Sequence, residues 1–206
     1  MIDHFATFDQ PRRPCLDLED LKSRFHSLSS QAHPDRKHDA DAAERQIAHD
    51  QSTALNAAYQ CLRDPKNRLA NLLELELGRK PGIVEEIPQG LTDLFFDVGT
   101  LCRQVDTFLK ERESNQSPLA KVAAFEKGLE WTDSLNALQE KISARHAGSV
   151  ATLESMNPAW EKVESTTGPE RIALLPLAAA EEVHRDLGFT TRWIQQLRDR
   201  IVRLSI

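Results

Sequence analysis

Residues 33–37 read HPDRK, a polar stretch that stands between two segments with the apolar spacing of helices. Before it, apolar residues recur at intervals of three and four, which places them on one face of a helix: Leu18, Leu21, Phe25 and Leu28. Asp17 is suited to the N-cap of this helix. Pro34 cannot extend the backbone hydrogen bonding, so we expect the helix to end near Ala32.

A second amphipathic segment follows the turn. Asp41 and Glu44 have the spacing of a capping box, with Asp in place of the usual Ser or Thr. The residues expected to face inward are Ile47, Leu55, Ala58 and Leu62. Two apolar stripes joined by a short polar turn predict an antiparallel helix pair with the HPD turn exposed at its tip.

Local signals bound a third helix and then a linker. Asp64 and Pro65 have the order of an N-cap and a first helical residue, and Gly78 stands where a C-cap glycine belongs. Residues 79–90 read RKPGIVEEIPQG, with two prolines, two glycines and no helical stripe. We therefore predict a first domain over residues 1–78, a linker over 79–90 and a second domain over 91–206.

Helical spacing continues through the second domain. The stripes expected to face inward are Leu94, Val98, Leu101, Val105 and Leu109, followed by Leu119, Val122, Phe125 and Leu129. We expect the helix that carries the second of these stripes to continue to about Met156. We also expect a short helix after it to be broken at Gly168 and a further helix to end at Gly188. On a wheel of 100° per residue, Phe95 lies at the edge of the first stripe and Phe96 on its far side.

Composition favours an all-α protein: there are only 8 glycines and 6% aromatic residues, and no period-two pattern emerges. The net charge of −6, without a long run of Lys or Arg, argues against nucleic acid as a partner. The longest apolar run, 172–180, is interrupted by Pro176 and is far shorter than the roughly 20 residues of a membrane span. No secretory signal is visible. We expect a soluble, cytoplasmic protein that uses no membrane.

No arrangement of reactive side chains predicts an enzyme, a metal site or a cofactor. Cys15, Cys61 and Cys102 are far apart and form no CxxC pair. The histidines have no partner at metal-ligand spacing. His33 and Asp35 are separated by proline on an exposed tip, where nothing would exclude water from a reaction. We therefore expect neither catalysis nor a cofactor.

The helix pair with HPD at its tip resembles the J domain, and its surroundings resemble the HscB (Jac-type) branch, which serves iron–sulfur cluster assembly. The resemblance covers residues 1–78. It rests on DHFATFD at 3–9, LEDLKSRF at 18–25 and LNAAYQCLRDPKNRLANLLEL at 55–75. A lone HPD is ordinary turn chemistry. Its place inside this longer match favours the functional interpretation.

The resemblance implies an all-α, HscB-like fold and a partner, a DnaK/HscA-type chaperone ATPase. Asp35 would engage an arginine of that ATPase, His33 would fix the loop and Pro34 its direction. Basic residues near the loop would meet an acidic surface of the chaperone: Lys22, Arg24, Arg36 and Lys37. The simpler alternative for these four side chains is a solvated helix face.

In the second domain, TRWIQQL at 191–197 resembles the HscB pattern Arg-Phe-Leu-x-x-Leu. The resemblance implies that Phe95, Phe96 and Trp193 form an exposed patch that binds the client, an iron–sulfur scaffold protein. Alternatively, Phe95 and Trp193 close the edge of the bundle and Phe96 is buried. HscB proteins carry glutamates where this chain has Gly99, Thr100, Cys102 and Arg103, so a different client stays open. An adaptor whose J domain no longer stimulates ATP hydrolysis also stays open, because these alternatives differ in partners that the sequence does not contain.

Overall fold

In the computed structural model, residues 1–32, 42–82, 87–88, 90–114 and 117–205 are described. These residues form eight helices and no strand, so the predicted all-α class is confirmed. The helices are α1 (His4–Thr7), α2 (Leu18–Ala32), α3 (Ala42–Arg63), α4 (Pro65–Leu77), α5 (Thr92–Ser114), α6 (Pro118–Lys162), α7 (Gly168–Leu174) and α8 (Leu177–Ser205). None of them, in the ranges described, is long and apolar enough to cross a membrane.

The helix ends follow the local signals. Asp17 Oδ1 accepts hydrogen bonds from the backbone N–H groups of Glu19 and Asp20 at 2.9 and 3.1 Å, which caps α2. Asp64 Oδ1 accepts from the Asn67 N–H at 2.8 Å and caps α4. Gly78 ends α4 with φ at +68°, a conformation that glycine adopts without steric cost.

The chain forms two compact units that are not consecutive in sequence. Unit 1 contains Met1–Ile83 and Thr152–His184, and unit 2 contains Val84–Ala151 and Arg185–Ile206. The first change of unit lies within the predicted linker, 79–90. Residues 152–184, however, group with the N-terminal residues and not with the rest of 91–206. The boundaries at 151/152 and 184/185 fall inside α6 and α8.

The core of unit 1 joins α1 to α4 and residues near the end of α6. Its fully buried large side chains are Phe5, Phe8, Leu21, Leu62, Leu69, Leu72, Leu73 and Trp160. Phe25 of α2 stacks on Tyr59 of α3 with ring centroids 4.2 Å apart, and Phe8 meets Phe25 edge-on at 6.4 Å. Leu18 and Ile47, both expected to face inward, are exposed, whereas Leu21 and Ala48, in the same turns of these helices, are buried.

Residues 152–184 are held in unit 1 by polar contacts of long sequence separation. The side-chain amide of Asn157 bonds to both the N–H and the C=O of Cys15, at 2.9 and 3.0 Å. Glu76 is buried and receives two hydrogen bonds from Arg171 at 2.7 and 2.8 Å and one from Trp160 Nε1 at 3.3 Å. These bonds raise the pKa of Arg171.

Unit 2 has its own core, built from α5, α6 and α8. The buried side chains are Leu91, Val98, Cys102, Val105, Leu109, Leu135, Leu138, Ile142, Trp193, Leu197 and Leu204. Four residues of α6 expected to belong to it, Leu119, Val122, Phe125 and Leu129, are instead exposed, so that prediction is wrong. The side of α6 that is turned inward over these turns carries Ala120, Ala124 and Gly128.

Candidate functional site

The predicted chaperone-binding residues fall into two groups. His33, Pro34, Asp35, Arg36 and Lys37 lie outside the described residues. Lys22 and Arg24 lie on α2, which ends at Ala32, directly before the HPD sequence. The described part of this candidate site is therefore the paired helices α2 and α3 and the side chains on them.

Lys22 and Arg24 differ in their surroundings. Lys22 is exposed. Arg24 Nε donates to Asp20 Oδ2 at 2.8 Å, and its Nη1 donates to the backbone carbonyls of Phe8 and Asp9 at 3.2 and 3.3 Å. Since Phe8 and Asp9 follow α1, Arg24 ties α2 to the end of α1. Its guanidinium is therefore largely engaged within unit 1.

A hydrogen bond from Gln10 reinforces this corner. Gln10 Nε2 donates to Asp20 Oδ2 at 2.6 Å, the same oxygen that accepts from Arg24. The bond from Gln10, followed by those from Arg24, lowers the pKa of the Asp20 carboxyl group. Asp20 therefore remains ionised at neutral pH and keeps Arg24 in place.

Arg68 is a structural side chain beside this site, and sequence reasoning did not identify its contacts. It is buried, and it donates to the carbonyls of Pro14 and Leu62 at 2.7 Å each. Burial lowers the pKa of Arg68 from its ordinary value. Arg68 thereby connects the start of α4 to the segment before α2 and to the end of α3. The only signal in the sequence was a single arginine among the apolar residues of α4.

Cys61 lies on α3, and its thiol is half-buried. The positive charge of Arg68 is close enough to act on this thiol. Burial raises its pKa from 9.0 to about 11. We expect iodoacetamide to label Cys61 at pH 8 about 100-fold more slowly in the native protein than in urea, because the thiolate is the reactive form. Peptide mass spectrometry over time measures this rate. Equal labelling rates in both conditions would contradict the expectation.

The second candidate site is the predicted client patch in unit 2. Phe95 and Phe96, at the start of α5, are 41% and 63% exposed, and their rings meet edge-on with centroids 5.6 Å apart. Both were expected to face outward, and they do. An exposed pair of aromatic side chains is typical of an interaction surface.

Trp193 does not join this exposed patch. Its side chain is 4% exposed and belongs to the core of unit 2, with its ring 5.4 Å from that of Phe189. The expectation that Trp193 faces solvent is wrong, because Trp193 lies one turn before Leu197 on the buried face of α8. The structure thus brings Phe95 and Phe96 together at the surface and places Trp193 in the core.

Searches of known proteins agree with the sequence resemblance in part of the chain. No family model matches. Co-chaperone protein HscB homologs from Burkholderia mallei and Burkholderia pseudomallei are 43% identical to this protein over 72 residues, which is 35% of its chain. That match spans 41% of the length of these relatives.

Two solved structures match over nearly the whole chain. Chaperone HscB from Vibrio cholerae has a TM-score of 0.59 at 21% identity and covers 97% of this chain and 99% of its own. Human co-chaperone protein HscB has a TM-score of 0.57 at 18% identity, over 96% of this chain and 81% of its own. At such identities the likeness shows the fold. The chain is thus similar to HscB co-chaperones in sequence over 72 residues and has the HscB fold, as the resemblance predicted.

Proposed function

We propose that the protein is a co-chaperone that stimulates a DnaK/HscA-type ATPase through its HPD residues and delivers a client to it. The observation that carries the proposal is the pairing of α2 with α3, the helices on either side of the HPD sequence. Residues 33–41 connect α2 to α3, and these two helices are paired through the stacked rings of Phe25 and Tyr59. The co-chaperone names of the relatives support the same function.

Asp35 is proposed to carry the coupling, with His33 and Pro34 shaping the loop that presents it. A charged hydrogen bond across an interface that excludes water is geometrically demanding, so one residue can supply much of the binding energy. Lys22, Arg36 and Lys37 are proposed to add electrostatic attraction around it. Arg24 contributes through the 40% of its side chain that stays exposed.

The proposed client is an iron–sulfur scaffold protein, bound at Phe95 and Phe96. Their exposure and mutual contact support this assignment. A second candidate is a different client, favoured by the residues that follow the pair on α5. Cys102 is buried and Arg103 donates to the carbonyl of Gly99 at 3.1 Å, so this turn offers no carboxylate where HscB proteins carry glutamates.

Single-turnover ATP hydrolysis by a DnaK-class chaperone, with and without the purified full chain, tests the proposed function. We expect faster hydrolysis in its presence and none by the chain alone. Co-precipitation with and without ATP then tests the client. A chain that binds the chaperone without changing its hydrolysis rate would be an adaptor, and the proposal would be wrong.

Lys22 and Arg24 provide a matched pair of variants. Lys22→Glu should weaken the stimulation roughly fivefold at sub-saturating concentration and leave the melting temperature unchanged, because an exposed charge acts mainly on association. Arg24→Gln should cost about 1 kcal/mol of stability, since it removes the bonds to Asp20 and to the carbonyls after α1. Thermal melts and hydrolysis rates distinguish the two. Loss of stability in Lys22→Glu alone would reverse these assignments.

A further inference from the structure

The first three turns of α6 carry an apolar face that is turned toward solvent. Leu119, Val122, Phe125 and Leu129 are 82%, 59%, 69% and 53% exposed, respectively. Their spacing of three, three and four residues places them on one side of the helix, over a length of about 15 Å. We call these four residues the α6 stripe.

The two sides of α6 are clearly different over these turns. Ala120, Ala124 and Gly128 occupy the opposite side, and they are half-buried or buried. The small residues thus face the protein and the large apolar ones face water. Isolated exposed apolar residues are ordinary, but a contiguous exposed row of this size marks an interaction surface.

Two carboxylates lie on one side of the α6 stripe: on the wheel, Glu126 and Asp133 are about 45° and 25° from its centre, on the side away from Lys121. Glu126 lies four residues after Val122 and three before Leu129, and Asp133 lies four after Leu129, so both are helix neighbours of the stripe. Both are exposed. Lys127 is engaged with Glu130 and lies 5.3 Å from the centre of the Trp131 ring. The wheel puts Lys121 on the other edge, about 95° from the centre of the stripe.

We propose that the α6 stripe docks an amphipathic helix of another protein, with an apolar face of about three turns and Lys or Arg along one edge. The apolar residues of such a helix would cover the stripe, and its basic edge would meet Glu126 and Asp133. This surface lies on α6, whereas Phe95 and Phe96 lie on α5, and the proposal does not depend on the proposed co-chaperone function.

The charges argue against a membrane and against an antiparallel pair of copies as occupants. Helices that lie on membranes carry Lys or Arg beside their apolar face, whereas the anionic side of this stripe would be repelled by anionic lipids. In an antiparallel two-fold pair of identical stripes, each edge would meet the same edge of the other copy, so Glu126 and Asp133 would face their own counterparts. In a parallel pair they would face the edge that carries Lys121, an arrangement that the self-association measurement below tests.

Two synthetic 18-residue helical peptides serve as probes. Both carry Leu on one face, and one carries Lys and the other Glu beside it. We expect the Leu/Lys peptide to bind the full chain in titration calorimetry, and the Leu/Glu peptide to bind at least tenfold more weakly. Phe125→Gln should weaken binding of the Leu/Lys peptide at least tenfold. The matched control is Val202→Gln on α8, an exposed valine outside the stripe, which should leave binding unchanged.

Charge reversal sharpens the test. Glu126→Lys combined with Asp133→Lys should reverse the preference, so that the Leu/Glu peptide binds better. Because every changed side chain is exposed, circular dichroism melts should match those of the unchanged protein. Equal affinity for both peptides, or full affinity in Phe125→Gln, would overturn the proposal. So would a larger loss in Phe96→Gln, self-association abolished by Phe125→Gln, or binding to anionic vesicles through the stripe.

Discussion

Replacing Asp35 by Asn should abolish stimulation of a DnaK-class ATPase while the protein stays folded. The substitution keeps the size of the side chain and removes the charge proposed to engage an arginine of the chaperone. Truncating an interface hot spot costs about 2 kcal/mol or more, which is about 30-fold in affinity. Single-turnover hydrolysis over a range of concentrations of this protein measures the loss, and circular dichroism shows that the fold is kept.

The control for Asp35→Asn is Asp39→Asn, the same chemical change four residues later in the same segment. It should leave the stimulation close to that of the unchanged protein. If both variants lose stimulation equally, the effect comes from net charge and not from the HPD position. Unaltered stimulation by Asp35→Asn would remove Asp35 from its proposed role.

Trp193→Ala should be the most destabilising single change in unit 2. The side chain is 4% exposed and packs within the core that includes Val98, Leu135 and Leu197. Truncating a buried aromatic residue costs roughly 3–5 kcal/mol. For a protein of this size that corresponds to a melting temperature lowered by roughly 6–20 °C. Thermal melts followed by circular dichroism measure the shift.

Phe96→Ala is the matched comparison, because Phe96 is 63% exposed. Its melting temperature should remain close to that of the unchanged protein, whereas affinity for an iron–sulfur scaffold protein should fall by about 2 kcal/mol. Calorimetric titration measures that affinity. Unchanged stability with lost scaffold binding in Trp193→Ala would mean that Trp193 is accessible in solution, contrary to its buried position.

Features set by neighbouring residues were predictable from the sequence. The cap at Asp64, the proline after it and the left-handed Gly78 bound α4 as expected, because each of these signals acts within one turn of its helix. The pairing of α2 with α3 also followed from periodicity. Gly188 was expected to end a helix, yet α8 continues through it, because an isolated glycine costs only about 1 kcal/mol relative to alanine.

Features set by distant residues were not predictable. Over the first turns of α6, the sequence offers two faces, and the larger apolar side chains were assigned to the core although Ala120, Ala124 and Gly128 face inward. Similarly, α6 was expected to end near Met156 but runs through Pro158 to Lys162. Glu76 and Arg171 are 95 residues apart, and no local pattern announces their pairing.

The discontinuity of unit 1 sets an order of events during synthesis of the chain. Trp160 and Arg171, the partners of Glu76, are translated long after α4. At about 5–20 residues per second, the ribosome needs roughly 5–20 s to add the residues between Ile83 and His184. During that interval the Glu76 carboxylate and the α4 surface beside it lack their native cover. The nascent N-terminal region thus presents, before the protein is complete, an incompletely covered surface of the kind that chaperones recognise.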